Sequence, residues 1–226
     1  LYEFDILKEL SKEQGNCYLI LDSDILIRKE LSPVFNNIKE NGAICYECGY
    51  ELNHDINGIS IAQMRTLYDE IYRGGASLSY YGGEFIGVTA EIADKLTDEF
   101  TFLWNENYRR YEQKKTKLNE EAHFLSFLYY RLGVHNDRAN QYIRRMWTAM
   151  KCDTIQQGDF KLPIWHLPAE KKFGFDKMFA WFRKHKSCSE SEYLKASDRI
   201  MKISSSKFSR VTSKGVQIII DKIKAR

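Results

Sequence analysis

The segment that most constrains the fold is Cys17-Tyr18-Leu19-Ile20-Leu21, a short apolar run that stops on Asp22-Ser23-Asp24. A run this short, bounded by polar residues, suits a buried strand better than a helix. Around it, segments with helical apolar spacing alternate with other short apolar runs. Residues 2–13 carry an amphipathic pattern (Phe4, Leu7, Leu10) stopped at Gly15. A helix over 30–40 ends at Asn41-Gly42, and a strand covers 43–47. Residues 49–60 read as loop, because Gly49, Asn53, Asp55, Asn57 and Gly58 break any period. A helix over 61–73 precedes a glycine-interrupted strand over 79–88, and Thr89 is placed to cap a helix reaching about residue 111. Asn119 is placed to cap a helix over 120–132, closed by Gly133. Strands are expected at 142–148 and 162–166, and a helix at 174–185. Strands alternating with helices indicate an α/β layer architecture.

The chain has 226 residues, room for one domain with a substantial core, with or without a small appendage. It opens in a helical pattern without Met, where an α/β domain should already have a strand, so an N-terminal segment is expected to be missing. A main domain is expected over 1–190 and a basic helical appendage over 191–226. From Lys195 to Arg226 nine Lys/Arg stand against two Asp, and Val216, Ile219, Ile220 and Ile223 form a last apolar stripe. The net charge of +3 gives no electrostatic case for nucleic acid. Cys45-x-x-Cys48 has no second pair, which argues against zinc and for reduced thiols. No apolar run reaches the roughly 18 residues of a membrane span, and no signal peptide opens the chain, so a cytoplasmic place is expected. The basic end points to contact with the anionic inner face of a membrane; a solvated tail is the alternative.

Asp22 and Asp24 carry the most specific chemistry. Residues i and i+2 of an extended chain share a face, so the two carboxylates point together at a strand end, where ligands bind in open α/β sheets. Carboxylates so placed suit Mn²⁺ or Mg²⁺ with a substrate diphosphate, and Ser23 between them is assigned to the substrate. A calcium loop would need an oxygen ligand at Leu26 and a glycine at Ile27. The plain alternative is a surface turn with two solvated acids.

Three further segments add to this. Tyr80-Tyr81-Gly82-Gly83-Glu84-Phe85 sets glycines inside a strand, where close approach of a ligand or a β-bulge would explain them. Tyr81 is placed to stack on a sugar and Glu84 to accept its hydroxyls. In Asn119-Glu120-Glu121-Ala122-His123, Glu121 shares the face of Leu125, Leu128 and Leu132, an expensive place for an acid unless it meets a polar cavity. Glu121 is therefore the candidate reacting carboxylate, Glu120 a candidate for sugar hydroxyls, and His123 reads as a surface or supporting residue. His166, closing Pro163-Ile164-Trp165-His166, is the candidate third metal ligand, and Lys172 the candidate phosphate contact.

In this order the segments resemble the metal-dependent glycosyltransferases of the GT-A fold, a mixed sheet flanked by helices. Tyr80 to Gly87 and Asn119 to His123 look like family 6, the blood-group and α-1,3-galactosyl transferases, whose pieces read Tyr-Tyr-x-(Gly/Ala)-x-Phe-Phe-Gly-Gly and His-Asp-Glu-Ser-His. That resemblance places Glu121 at the family's catalytic glutamate. His166 and Lys172 match the family 8 pattern His-x-x-Gly-x-x-Lys-Pro-Trp, from which Ala169, Phe173 and Gly174 depart. The resemblance spans residues 17 to 174 and implies a nucleotide-sugar donor, a UDP-sugar, with retention of configuration. A glycan or glycolipid acceptor in bacterial surface polysaccharide or lipopolysaccharide synthesis is expected. The alternatives are a non-catalytic sugar- or nucleotide-binding module of the same fold and a nucleotidyltransferase. The latter would want a glycine-rich basic phosphate loop, which this stretch lacks.

Overall fold

The computed structural model describes residues 2–10, 12–13, 15–74, 77–149, 152–204 and 206–224. The elements begin with α1 (Tyr2–Leu10), β1 (Cys17–Leu21), β2 (Ile25–Ile27), α2 (Ser32–Asn41) and β3 (Ala43–Glu47). There follow β4 (Asp55–Ile56), β5 (Ile59–Ser60), α3 (Ile61–Tyr72), β6 (Tyr81–Thr89), α4 (Ala90–Glu112) and α5 (Glu121–Arg131). The chain continues through β7 (Ile143–Arg145), β8 (Thr148–Ala149), β9 (Cys152–Asp153), β10 (Ile164–His166), α6 (Phe175–Lys184), α7 (Glu190–Met201) and α8 (Lys207–Lys224). The fold is mixed α/β, with small sheets flanked by helices. It divides into two compact units, Leu1–Asp22 with Leu31–Gln141, and Ser23–Glu30 with Tyr142–Arg226.

The first unit is built on the sheet β1-β6-β3, with β6 in the middle and antiparallel to both neighbours. The run from Phe85 to Val88 is apolar apart from Gly87, as a central strand covered on both faces requires. Gly87 is forced by packing: an added Cβ would lie 2.9 Å from the Phe85 ring and 3.0 Å from Ile44. Helix α5 is buried from Ala122 through Tyr129, so no polar stripe survives on it. Helix α1 docks on α4, where Phe4 and Phe100 stack with centroids 4.0 Å apart.

Several expectations are corrected here. The stretch 49–60 holds the hairpin β4-β5, and two of the residues that break its period, Asn57 and Gly58, form the turn. Asn57 and Gly58 both have positive φ (49° and 88°), as a two-residue primed turn needs. The residue preceding α5 is Glu120, not Asn119, and no side chain caps that helix. Asn119 instead donates its amide N–H to His123 Nδ1 at 3.1 Å. The first helix ends at Leu10 rather than at residue 13.

In the second unit β10 is central, antiparallel to β2 and parallel to β7. Leu26, Met146, Trp165, Leu167, Met178 and Met201 form its core. The strand expected over 142–148 splits into β7 and β8, and β8 pairs with β9. The basic end folds into α7 and α8. Two of its cations are internal: Arg210 grips Asp153 through two hydrogen bonds of 2.8 and 2.6 Å, and Lys214 pairs with the buried Glu170. Meanwhile Phe208, Val216, Ile220 and Ile223 of α8 face solvent. The side chain of Ile219 lies outside the described residues. No helix among the described residues is long and apolar enough to cross a membrane.

Candidate metal and sugar site

Pairing of β2 with β10 creates the centre of the site. In that register His166 lies opposite Ile25, and the Leu167 N–H donates to the Asp24 carbonyl at 2.9 Å. Asp24 therefore sits beside His166, though the two stand 142 positions apart in the sequence. Both are buried, Asp24 to 1% exposure. His166 Nε2 stands 3.2 Å from Asp24 Oδ1, and Lys171 Nζ 3.2 Å from Asp24 Oδ2. Nevertheless, Asp24 Oδ1 receives no hydrogen bond. A buried carboxylate oxygen left so is costly in a purely structural role.

The chain itself carries Asp22 two residues before Asp24. One ligand atom each from Asp22, Asp24 and His166 lies within 4.8 Å of the others. Adjacent ligands of an octahedral ion with bonds of about 2.1 Å stand about 3.0 Å apart, and opposite ones about 4.2 Å. The Asp24–His166 separation of 3.2 Å matches an adjacent pair. Two carboxylates with one imidazole fit Mn²⁺ better than Mg²⁺, which prefers oxygen ligands throughout. Ser23 is exposed between the two acids.

The first unit gathers a second set of acids. The Asp22 N–H donates to the Glu84 carbonyl at 3.2 Å, which ties the end of β1 to β6. Asp22 and Glu121 both act on the Tyr2 hydroxyl. Its pKa is pushed above the ordinary value by Glu3 first, then by burial, by Asp22 and by Glu121. Burial pushes Glu3 up to about 7, and its hydrogen bond to Glu121 and the charge there act in the same sense. Glu121 is half-buried at the start of α5. Glu120 is held from two sides, accepting from Tyr80 Oη at 2.7 Å and from Asn57 Nδ2.

The other expected contacts fare differently. Tyr81 is not free to stack on a sugar: it is 3% exposed, edge-on to Tyr129, with its N–H on Ser126 Oγ at 2.9 Å. Gly82 and Gly83 lie in a bulge, since Cys45 pairs with Ile86 but Glu47 pairs with Tyr81. A Cβ at Gly83 would meet Ala122 and Leu125 at ordinary distances of 3.8 and 3.9 Å, so space alone does not require that glycine. The Glu84 side chain is buried at 4% exposure. His123 is fully buried rather than on the surface, and burial lowers its pKa. The Lys172 side chain lies outside the described residues, and the lysine set against Asp24 is Lys171. Sequence reasoning missed Lys171 and Glu3. No local pattern in the sequence pairs Lys171 with Asp24, and Glu3 looks like an ordinary first-turn acid.

No family model matches this chain, and no curated protein matches it. Among solved structures it is similar to the galactosyltransferase LgtC in complex with donor and acceptor sugar analogues. That likeness covers 92% of this chain and 70% of the other, at 13% identity and a TM-score of 0.41.

Proposed function

We propose that the chain is a metal-dependent glycosyltransferase of GT-A type. It takes a sugar from a nucleotide-sugar donor, a UDP-sugar, and passes it to a glycan or glycolipid acceptor with retention of configuration. The observation that carries this reading is the buried Asp24 oxygen without a hydrogen bond, beside His166 and two residues from Asp22. Asp22, Asp24 and His166 hold Mn²⁺ or Mg²⁺, and that ion, when bound, neutralises a diphosphate leaving group. Lys171 adds a point charge for phosphate, while burial of Asp24 and His166 keeps water from them. Glu121 acts at the anomeric carbon, and Glu120 accepts hydrogen bonds from sugar hydroxyls. Glu3 hydrogen-bonds Glu121, so donor and Glu3 compete for the same carboxylate.

Replacing Asp22 and Asp24 together by Asn should abolish Mn²⁺-dependent hydrolysis of UDP-sugars. Undiminished hydrolysis by that variant would remove the proposal. The transferase domain is assigned to 1–190 and the basic end, 191–226, to peripheral contact with an anionic membrane. That contact would place the enzyme at the inner face of a bacterial membrane, making surface polysaccharide or lipopolysaccharide. Supporting it, α8 turns Arg210 and Lys214 inward and an apolar stripe outward. Ile220→Ser with Ile223→Ser should reduce sedimentation with anionic liposomes, and no change would retire the membrane contact.

A further inference from the structure

Helix α4 carries three aromatic side chains on one face that the core does not use. Trp104, Tyr108 and Tyr111 fall at i, i+4 and i+7, and are 43%, 55% and 61% exposed. Exposure of such large rings is unfavourable unless something covers them. They form one wall of a cleft of about 410 Å³. Its floor is rigid: Asn107 Oδ1 accepts the Leu118 N–H at 2.7 Å, its Nδ2 donates to the Leu118 carbonyl at 3.1 Å, and Trp104 leans on Phe124. The rim is polar. Lys117 Nζ holds Asn119 Oδ1 at 2.6 Å and lies 5.9 Å from the Tyr111 ring, and Glu120 follows, already positioned by Tyr80 and Asn57.

We infer that this cleft binds a neutral saccharide, the glycan acceptor of the transfer proposed above; its role as acceptor rests on that reading. Flat rings match the C–H faces of a pyranose, and the rim supplies both donors and acceptors for hydroxyls. Lys117 and Glu120 offset one another, so the cleft selects neither anion nor cation. Leu118 is the sole aliphatic side chain among the described residues that line it, which disfavours a lipid chain or an apolar peptide. Glu120 lies both in this cleft and next to Glu121, so an acceptor bound here reaches the start of α5.

The test is saturation-transfer NMR on the full chain with lactose, cellobiose and maltose, each at about 20 mM, enough to fill a millimolar site. At least one sugar should receive saturation and change the tryptophan fluorescence. Trp104→Ala, and Tyr111→Ala at the most exposed ring, should each weaken binding roughly five- to tenfold. Phe102→Ala, on the same helix but outside the cleft, should leave it unchanged, with circular dichroism confirming that all three variants fold. Absence of transfer to every sugar, or an equal loss in Phe102→Ala, overturns the assignment. So does self-association that Tyr108→Ala abolishes, which would give the cleft to a second copy of the chain. Donor hydrolysis by the unaltered chain is read separately. Saccharide binding without hydrolysis would sink only the transferase reading, and hydrolysis without saccharide binding only this one.

Discussion

Two aspartates of the second unit have side chains buried alike and treated in opposite ways. Asp153 has both oxygens taken by the guanidinium of Arg210, in a pair whose side chains are 3% and 2% exposed. Asp24 is as deeply buried, yet Oδ1 accepts nothing, and the nearest groups are an imidazole and a lysine that is 54% exposed. The first arrangement is closed: both carboxylate oxygens accept from the guanidinium. The second keeps a lone pair in reserve. An unpartnered buried oxygen alone does not set Asp24 apart, since Glu170 Oε2 also lacks a hydrogen bond in its pair with Lys214; what sets Asp24 apart is a second acid and an imidazole beside that oxygen.

The largest expected effect tests the closed pair. Arg210→Ala should cost about 3–5 kcal/mol in urea unfolding, because Asp153 is left buried and uncompensated. A loss under about 1 kcal/mol would mean that the two aspartates do not differ in kind. Next, Mn²⁺ at a hundred times its dissociation constant should stabilise the unaltered chain by about 2.7 kcal/mol and Asp24→Asn not at all. Equal stabilisation of both would break the comparison from the other side. Gly87→Ala, a packing control away from either aspartate, should cost about 1–3 kcal/mol through overpacking and leave metal response intact. The pH dependence sharpens the contrast. Hydrogen bonds from Arg210 hold Asp153 below the ordinary carboxylate range. A depressed folded pKa gives stability that is present above the unfolded value of about 3.9 and lost as pH falls through the folded one. The urea midpoint should therefore drop below about pH 4 in the unaltered chain, and the drop should flatten in Arg210→Ala. The smallest effect is expected for Asp24→Asn without metal, within about 1 kcal/mol, since an unsatisfied acceptor is exchanged for a neutral amide.

What was legible in the sequence follows from range. The strand ending in Asp22 and Asp24 was readable because an apolar run and the acids closing it are contiguous. His166 was readable as a ligand type at a strand end, but its meeting with Asp24 depends on the pairing of β2 with β10, which no local pattern announces. The stacking role given to Tyr81 failed because the strand's alternation alone did not say which face α5 covers. The bulge that displaces Gly82 and Gly83 depends on the register of β3 with β6, again a distant partner. Asn57-Gly58 differs in kind: its turn signal is local, but only the pairing of β4 with β5 shows that it closes a hairpin rather than interrupts a pattern. The saturated pair of Asp153 and Arg210 joins a two-residue strand to a helix 57 positions later, beyond any periodicity.

The inward-facing cations of α8 bear on how the end of the chain can be altered. Removing everything after Ser206 would delete Arg210 and Lys214 together and strip the counter-charges from Asp153 and Glu170 at a stroke. A truncated product would fail by misfolding before any loss of surface attachment could be noticed. The last helix is rooted electrostatically, and its outer stripe is best probed by point replacements that leave those roots in place.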